Sequence, residues 1–181
     1  MSRLSMINPE EATGQVQELF AGIKKAIGKV PNVYATMGTH SAAALGIILQ
    51  ADSVLSHGSL AGADIEAIKL AVSEISGCDY CLAAHTIIGK KKGLSPEEMK
   101  HIRAGQPSGN AKRDALVRFV RRVVSTSGTV PEDVVDHVRA AGYTEQQLIE
   151  TNLAITVITF ANLVNRVNDT TVDFPQAPAA A

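Results

Sequence analysis

The sequence predicts an all-α fold, and three observations carry the prediction. Helix start signals recur, and the segments SPEE at 95–98 and TEQQ at 144–147 are both capping boxes. Apolar residues after such starts recur at spacings of three and four, which is typical of one face of a helix. With only 4% aromatic residues and no Trp, the core must consist of Ala, Val, Ile and Leu, a mixture that favours close-packed helices.

Taken in order, the helices are separated by turn residues. The first helix is predicted to start at Asn8 as the N-cap, with Pro9 at the first helical position, and to end at Gly28. The segment KVPNVYATMGTHS, in which Pro31 and Gly38 interrupt the periodicity, is predicted to be a loop. The remaining helices are predicted around Leu45–Leu55, over 62–76, from Cys78 to the lysines before Gly93, after Ser95, over 111–126, over 131–141 and over 145–167.

These elements predict a bundle of about seven to eight helices in a single domain over residues 1–172. The tail 173–181, DFPQAPAAA, lacks periodicity and is expected to be extended or disordered. The segments PEEMKHIRAG at 96–105 and PEDVVDHVRAAG at 131–142 resemble each other, which suggests two related helical units. The last helix is apolar nearly all round, which predicts central burial or a subunit interface. A strand over AITVITF is less favoured because the caps and the length indicate a helix.

Composition excludes several classes of function. The formal net charge is −1, so no global field favours nucleic acid or anionic lipid. The only dense basic cluster, Lys90-Lys91-Lys92, is placed to oppose a helix dipole. The N-terminus has no apolar core of a secretory signal, and no apolar run is long enough for a membrane span. We therefore expect a cytoplasmic protein with neither nucleic-acid nor membrane partners.

The segment SGCDYCLAAHTI, residues 76–87, concentrates the residues that can carry chemistry. Cys78, Cys81 and His85 share one face of a helix, because residues three and four apart are neighbours there. The N-terminus of a helix stabilises a thiolate, which is the nucleophilic form of cysteine. The spacing therefore supplies a nucleophile, a second thiol for a disulfide and a proton acceptor.

Two other interpretations of these residues remain open at the level of sequence. Zinc accepts Cys and His ligands, and a catalytic zinc would need only three from the protein. A structural zinc site would need a fourth ligand, and no second CxxC supplies one. Two buried, inert thiols are the least favoured because they fall at a helix start. A thioredoxin-like fold is disfavoured, since the segment before the CxxC is helical rather than a strand.

The same residues resemble a known superfamily, that of carboxymuconolactone decarboxylase and alkylhydroperoxidase D. Its peroxidase-like members carry Glu, eleven residues, Cys-x-[His/Tyr]-Cys, three residues and His. The pattern falls here on Glu66, Cys78, Tyr80, Cys81 and His85. VPNVYATMG and FANLVNRVNDT resemble the superfamily as well, so the likeness spans most of the chain.

This resemblance implies an all-α fold like that of alkylhydroperoxidase D, homo-oligomers that are trimers or hexamers, and thiol-dependent reduction of hydroperoxides. It implies that Cys81 attacks the peroxide and that Cys78 then forms a disulfide with it. His85 and Glu66 would form a proton relay, in which Tyr80 replaces the histidine of alkylhydroperoxidase D. No bound cofactor or metal is implied, and an external thiol, dithiol or dithiol protein would restore the enzyme.

Several alternatives accompany this prediction. The superfamily also contains decarboxylases of muconolactone-like substrates, and a zinc-binding or redox-sensing module without turnover would use the same residues. Helix electrostatics alone favours Cys78 rather than Cys81 as the nucleophile. Glu74 competes with Glu66 as the acidic partner. The asparagines Asn162, Asn165 and Asn168 are expected to bond buried backbone or a neighbouring subunit.

Overall fold

A computed structural model describes residues 2–180 as a bundle of helices. A short 3-10 turn, Pro9–Glu11, precedes nine α-helices, and this part of the chain contains no strand. The helices are α1 Gly14–Ile27, α2 Asn32–His40, α3 Ala42–Ser56, α4 Gly62–Ser76, α5 Asp79–Lys91, α6 Pro96–Ala104, α7 Ala111–Ser125, α8 Glu132–Ala140 and α9 Glu145–Asn168.

The all-α prediction is confirmed, but the prediction of a loop over 29–41 is wrong and accounts for the ninth helix. Pro31 precedes the first turn of α2 in an extended conformation, a position where its missing N–H costs nothing. The helix packs between α1, α3 and α9. Tertiary burial thus overrides the poor helix propensity of a short segment with a central glycine.

Gly38 is required by close packing rather than by its backbone angles. A Cβ atom at this position would lie 2.5 Å from Cε1 of Phe20 and 3.1 Å from Cδ2 of Leu45. Phe20 is only 3% exposed, so its ring has nowhere to move. The glycine therefore permits α2 to lie directly on the aromatic ring of α1.

Substituting Gly38 with alanine is expected to lower the free energy of unfolding by about 1–3 kcal/mol, because the core is overpacked. Gly22 on the exposed face of α1 is the matched control, since a Cβ there meets nothing within 4 Å. Gly22→Ala is expected to stabilise the protein by up to about 1 kcal/mol through helix propensity. Urea unfolding of both variants measures the difference, and equal effects would contradict this account.

The first helix also begins later than the sequence predicts. Asn8 does accept a hydrogen bond from the Glu10 N–H, but it caps only the 3-10 turn. Ala12 is extended and 4% exposed, and α1 starts at Gly14. Burying Ala12 in the core interrupts what would otherwise be one continuous helix.

Helix α4 lies at the centre of the fold. Its residues from Asp64 to Ser73 are all buried, and it packs against α5, α6, α7 and α9. Helix α9 is long and apolar enough to cross a membrane by composition, but it packs along α4 and α3 as a core helix. Its outer face exposes Ile149, Leu163 and Val167, so the predicted central burial holds for one side only.

Candidate active site

The turn between α4 and α5 places the two cysteines. Gly77 ends α4 in the left-handed conformation, with φ of 63°, and the Cys78 N–H bonds the Ser73 carbonyl. Cys78 is the N-cap residue of α5, which starts at Asp79 as the sequence predicts. Both thiols are free and buried, with Cys78 1% and Cys81 3% exposed. The thiols therefore sit where the dipole of α5 favours negative charge.

His85 and Glu66 form a buried pair that joins α5 to α4. His85 Nδ1 lies 2.8 Å from Glu66 Oε2, and the carboxylate accepts this hydrogen bond. Glu66 is 5% exposed. Burial raises the pKa of Glu66, but the neighbouring His85, helped by Lys69 and Lys92, lowers the pKa overall. The bond engages Nδ1 of His85 and fixes the orientation of its imidazole ring.

The structure also decides between the two candidate acids. Glu74 Oε2 accepts a hydrogen bond from Arg103 Nε at 2.6 Å and makes no contact with the imidazole. Glu66 is the acid that orients His85. Sequence alone left this choice open because both acids lie on α4, within eight residues of each other.

Asn165 of α9 completes the surroundings of the thiols. Its Nδ2 donates a hydrogen bond to Cys81 Sγ at 3.3 Å, while its Oδ1 is buried without a partner. Asn165 is 4% exposed, so this contact lies in the interior. We predicted bonds from this asparagine to backbone or to a neighbouring subunit and missed its contact with the cysteine. The three-residue spacing between Asn162 and Asn165 marked this face of the helix as polar, but it did not identify Cys81 as the residue that Asn165 contacts.

The pKa values of the two thiols are shifted in opposite directions. Hydrogen bonding from the Cys81 thiol lowers the pKa of Cys78 against the effect of burial, and the Cys81 N–H and Asn165 add to the lowering. The same hydrogen bond, together with burial and the nearby charge on Cys78, raises the pKa of Cys81. Cys78 therefore ionises first in the resting protein, in agreement with its position at the helix N-cap.

Cys81, rather than Cys78, is the thiol that a small molecule can reach through a cavity. A cavity of about 370 Å³ is lined by Cys81, Asn165 and His85, and Cys78 is not part of its wall. Most of the wall is apolar, with Lys29 and Lys91 as its cations; the apolar residues include Ile27, Val33, Ile87, Ile88 and Phe174. A small molecule in this cavity would meet Cys81 beside the His85 ring.

The hydroxyl of Tyr80 makes its hydrogen bonds to residues other than the predicted site residues. Its hydroxyl donates a hydrogen bond to Asp173 Oδ1 at 2.6 Å and accepts one from the Val33 N–H at 3.2 Å. Burial, and then the hydrogen bond to Asp173, raise the pKa of Tyr80 well above its usual range. The hydroxyl thus stays protonated and holds the segment that follows α9.

Within residues 2–180, no three His, Cys, Asp or Glu side chains come together in the arrangement of a metal site. His85 is hydrogen-bonded to Glu66, and Cys81 to Asn165. The alternative in which Cys78, Cys81 and His85 are three zinc ligands therefore finds no matching cluster among these residues.

Part of the chain matches the sequence profile of a known family. Residues 39–115 match the sequence profile of the carboxymuconolactone decarboxylase family. The matched segment contains Glu66, both cysteines and His85. In this segment the chain is similar to the carboxymuconolactone decarboxylase family. A comparison with curated protein sequences gave no match.

Solved structures match nearly the whole chain in fold. The alkylhydroperoxidase AhpD core of an uncharacterized peroxidase-related protein from Ralstonia eutropha JMP134 is 19% identical, with a TM-score of 0.83 over 95% of this chain and 92% of that one. A peroxidase-related protein from Silicibacter sp. TM1040 is 17% identical, with a TM-score of 0.78 over 99% and 94%.

A debrominase of the same fold is also similar. A variant of the debrominase Bmp8 in complex with 2,3,4-tribromopyrrole is 17% identical, with a TM-score of 0.79 over 96% of this chain and 92% of that one. At these identities the likeness shows the fold alone. The fold of this chain thus occurs in proteins with more than one named activity.

The contact between Asn165 and Cys81 gives a test of the site geometry. Asn165 lowers the pKa of both thiols, so Asn165→Ala is expected to move the pH profile of thiol alkylation to higher pH. Losing one hydrogen bond to a charged group slows alkylation at neutral pH by about tenfold. Iodoacetamide labelling from pH 5 to 10 measures this. Asn152→Ala, at an exposed site on the same helix, is the control, and an unchanged profile for Asn165→Ala would contradict the assignment.

Proposed function

We propose that this protein is a thiol-dependent hydroperoxide reductase that uses Cys81 and Cys78 as a redox pair. The observation that supports it best is the cavity in which Cys81 lies beside His85, with the second thiol directly behind it. A nucleophile that faces a cavity, a base held by a buried acid, and a thiol positioned to form a disulfide are the parts that such a reaction needs.

The hydrogen bond between the two sulfurs explains how Cys81 can act although Cys78 ionises first. His85 takes one proton from the thiol pair through Nε2, and the proton that remains on Cys81 moves along this hydrogen bond to Cys78, which leaves the thiolate on Cys81. The Cys81 thiolate attacks the terminal oxygen of the hydroperoxide, the O–O bond breaks, and Cys81 becomes a sulfenic acid. His85 returns its proton to the departing alkoxide, which leaves as an alcohol.

The second step closes the pair. The Cys78 thiol attacks the sulfenic sulfur of Cys81, a disulfide forms and water leaves. Two thiols and one hydroperoxide thus give one disulfide, one alcohol and one water. An external thiol or dithiol, either a small molecule or a protein, reduces the disulfide. We further propose that the protein works as a homo-oligomer, a trimer or a hexamer, in the cytoplasm, and without a bound cofactor.

The proposed roles of the predicted residues differ in kind. Cys81, Cys78 and His85 are catalytic, and Glu66 orients His85 through Nδ1. Tyr80 acts as a positioning residue rather than as part of the proton relay, because its hydroxyl is held by Asp173 and Val33.

The decisive experiment is a titration of the reduced protein with substoichiometric hydroperoxide. One equivalent is expected to remove two free thiols and to produce one intramolecular disulfide, seen by thiol counting and mass spectrometry. Thiols that persist at low peroxide concentration would refute the proposal. Heat-unfolded protein is the control for the intrinsic reactivity of the same cysteines.

Reductive dehalogenation is a second candidate, favoured by the size of the cavity. About 370 Å³ is more than hydrogen peroxide needs and suits a small ring compound. Two thiols can convert a carbon–halogen bond to carbon–hydrogen with release of halide and formation of a disulfide, so the electrons balance. Bromide release from 2,3,4-tribromopyrrole, together with loss of two thiols and no reaction with peroxide, would favour this candidate.

A further inference from the structure

The segment after α9 contributes Phe174 to the wall of the cavity that contains Cys81. This segment, Thr170–Pro178, is here called the strap. Its first residue donates a backbone N–H to the Asn165 carbonyl, and at its far end the Pro178 carbonyl accepts a hydrogen bond from Arg103. In between, Asn32 Nδ2 bonds the Thr171 carbonyl at 2.9 Å. The strap is therefore held against the body of the protein along its length.

Asp173 is the electrostatic centre of the strap. One oxygen, Oδ1, accepts the hydrogen bond from the Tyr80 hydroxyl at 2.6 Å, and the other, Oδ2, pairs with Lys29 Nζ at 2.8 Å. The Asp173 side chain is 22% exposed and the Tyr80 residue 4% exposed, so the bond between them is largely shielded from water. Bonds to a partly buried carboxylate are among the stronger hydrogen bonds in proteins.

Phe174, the residue after Asp173, forms part of the cavity wall. Its ring packs edge-on against the Tyr80 ring, with centroids 5.6 Å apart and planes at 85°, and Lys29 Nζ lies 4.4 Å from its centre. Phe174 and Tyr80 both line the cavity together with Cys81. The width of the cavity therefore depends on where the strap holds the phenyl ring.

We infer that the strap, fixed by Asp173 to Tyr80 and Lys29, sets the size of molecule that can reach Cys81, with Phe174 as the limiting wall. Tyr80 has a defined part in this arrangement, because a hydroxyl that stays protonated can donate to Asp173 without titrating near neutral pH. As a statement about access to Cys81 the inference stands alone. As a statement about which hydroperoxides react, it rests on the proposed function.

The test measures access to Cys81 without any peroxide chemistry. In a Cys78→Ser background, the alkylation rates with iodoacetamide, which is small, and with N-(1-pyrenyl)maleimide, which is bulky, are compared. Phe174→Ala is expected to raise the ratio of bulky to small reagent by about tenfold, and Tyr80→Phe and Asp173→Asn to raise it by a similar factor through loss of one charge-assisted hydrogen bond.

Three controls separate a gate from general loosening. Phe174→Leu keeps most of the side-chain volume, so its ratio of bulky to small reagent is expected to stay close to that of the protein with Phe174. Asp136→Asn, at an exposed position on α8, changes charge equally and is expected to leave the ratio unchanged. Thermal unfolding of every variant identifies those that do not fold, and Tyr80→Phe keeps the test valid if Phe174→Ala is among them. Rates that rise in parallel for both reagents, or do not change, would overturn the inference.

A second arm connects access with substrate choice. In the wild-type background, sulfenic-acid trapping and thiol loss are measured with hydrogen peroxide and with cumene hydroperoxide. The same strap variants are expected to gain reactivity towards the bulky hydroperoxide only. An altered alkylation ratio without any change in hydroperoxide preference would overturn the specificity claim. Absence of reaction with either peroxide in every variant would instead overturn the proposed function and leave the access result standing.

Discussion

Replacing Cys81 with serine is expected to abolish the reaction with hydroperoxide, with a loss of about a thousandfold or more in rate, because the nucleophile is removed. Cys81 is the thiol that lines the cavity, and Cys78 behind it is 1% exposed. In Cys78→Ser, by contrast, one equivalent of peroxide should still be consumed, since Cys81 can form a sulfenic acid that has no thiol to condense with.

Trapping with dimedone and mass spectrometry distinguishes the two cysteines. The adduct is expected on Cys81 in the Cys78→Ser protein and to be absent from the Cys81→Ser protein. The lowered pKa of Cys78 makes the opposite result a real alternative. An adduct on Cys78 in the Cys81→Ser protein, with none on Cys81 in the reverse variant, would show that ionisation rather than access selects the nucleophile.

Removing the imidazole is expected to have the second largest effect. Loss of a general base and acid slows the peroxide step by about a hundredfold to ten-thousandfold. His85→Ala also leaves the Glu66 carboxylate, 5% exposed, without its hydrogen-bond partner. Breaking one side of a buried pair costs about 3–5 kcal/mol of unfolding free energy, whereas Glu66→Gln, which leaves no buried charge, should cost less.

The pH dependence of stability provides the check. Because the folded protein holds the pKa of Glu66 below its usual value, the pair stabilises the fold above the unfolded pKa of about 4.3, and the contribution disappears as the pH falls through the lowered folded pKa. Urea unfolding from pH 3 to 7 should show this acid loss in the wild type and not in Glu66→Gln. Parallel curves for the two proteins would contradict the assignment.

The helices and the core of the site were accessible from sequence because they depend on local signals. Capping boxes at Ser95 and Thr144 form as expected, and Gly77 ends α4 so that α5 starts at the cysteines. The spacing from Glu66 to His85 depends only on helix periodicity and on one turn. Helix α2 was missed because its stability comes from burial against three other helices.

The sequence by itself determined the all-α architecture, the placement of both thiols at a helix N-terminus and the candidate residues of the relay, because each depends on neighbours along the chain. The tertiary structure alone decided which acid meets His85, that Asn165 bonds Cys81, and that Tyr80 holds Asp173. The Asn165–Cys81 and Tyr80–Asp173 contacts join residues 84 and 93 positions apart. No local periodicity encodes such pairs, and they form only when packing of the helices brings distant segments together.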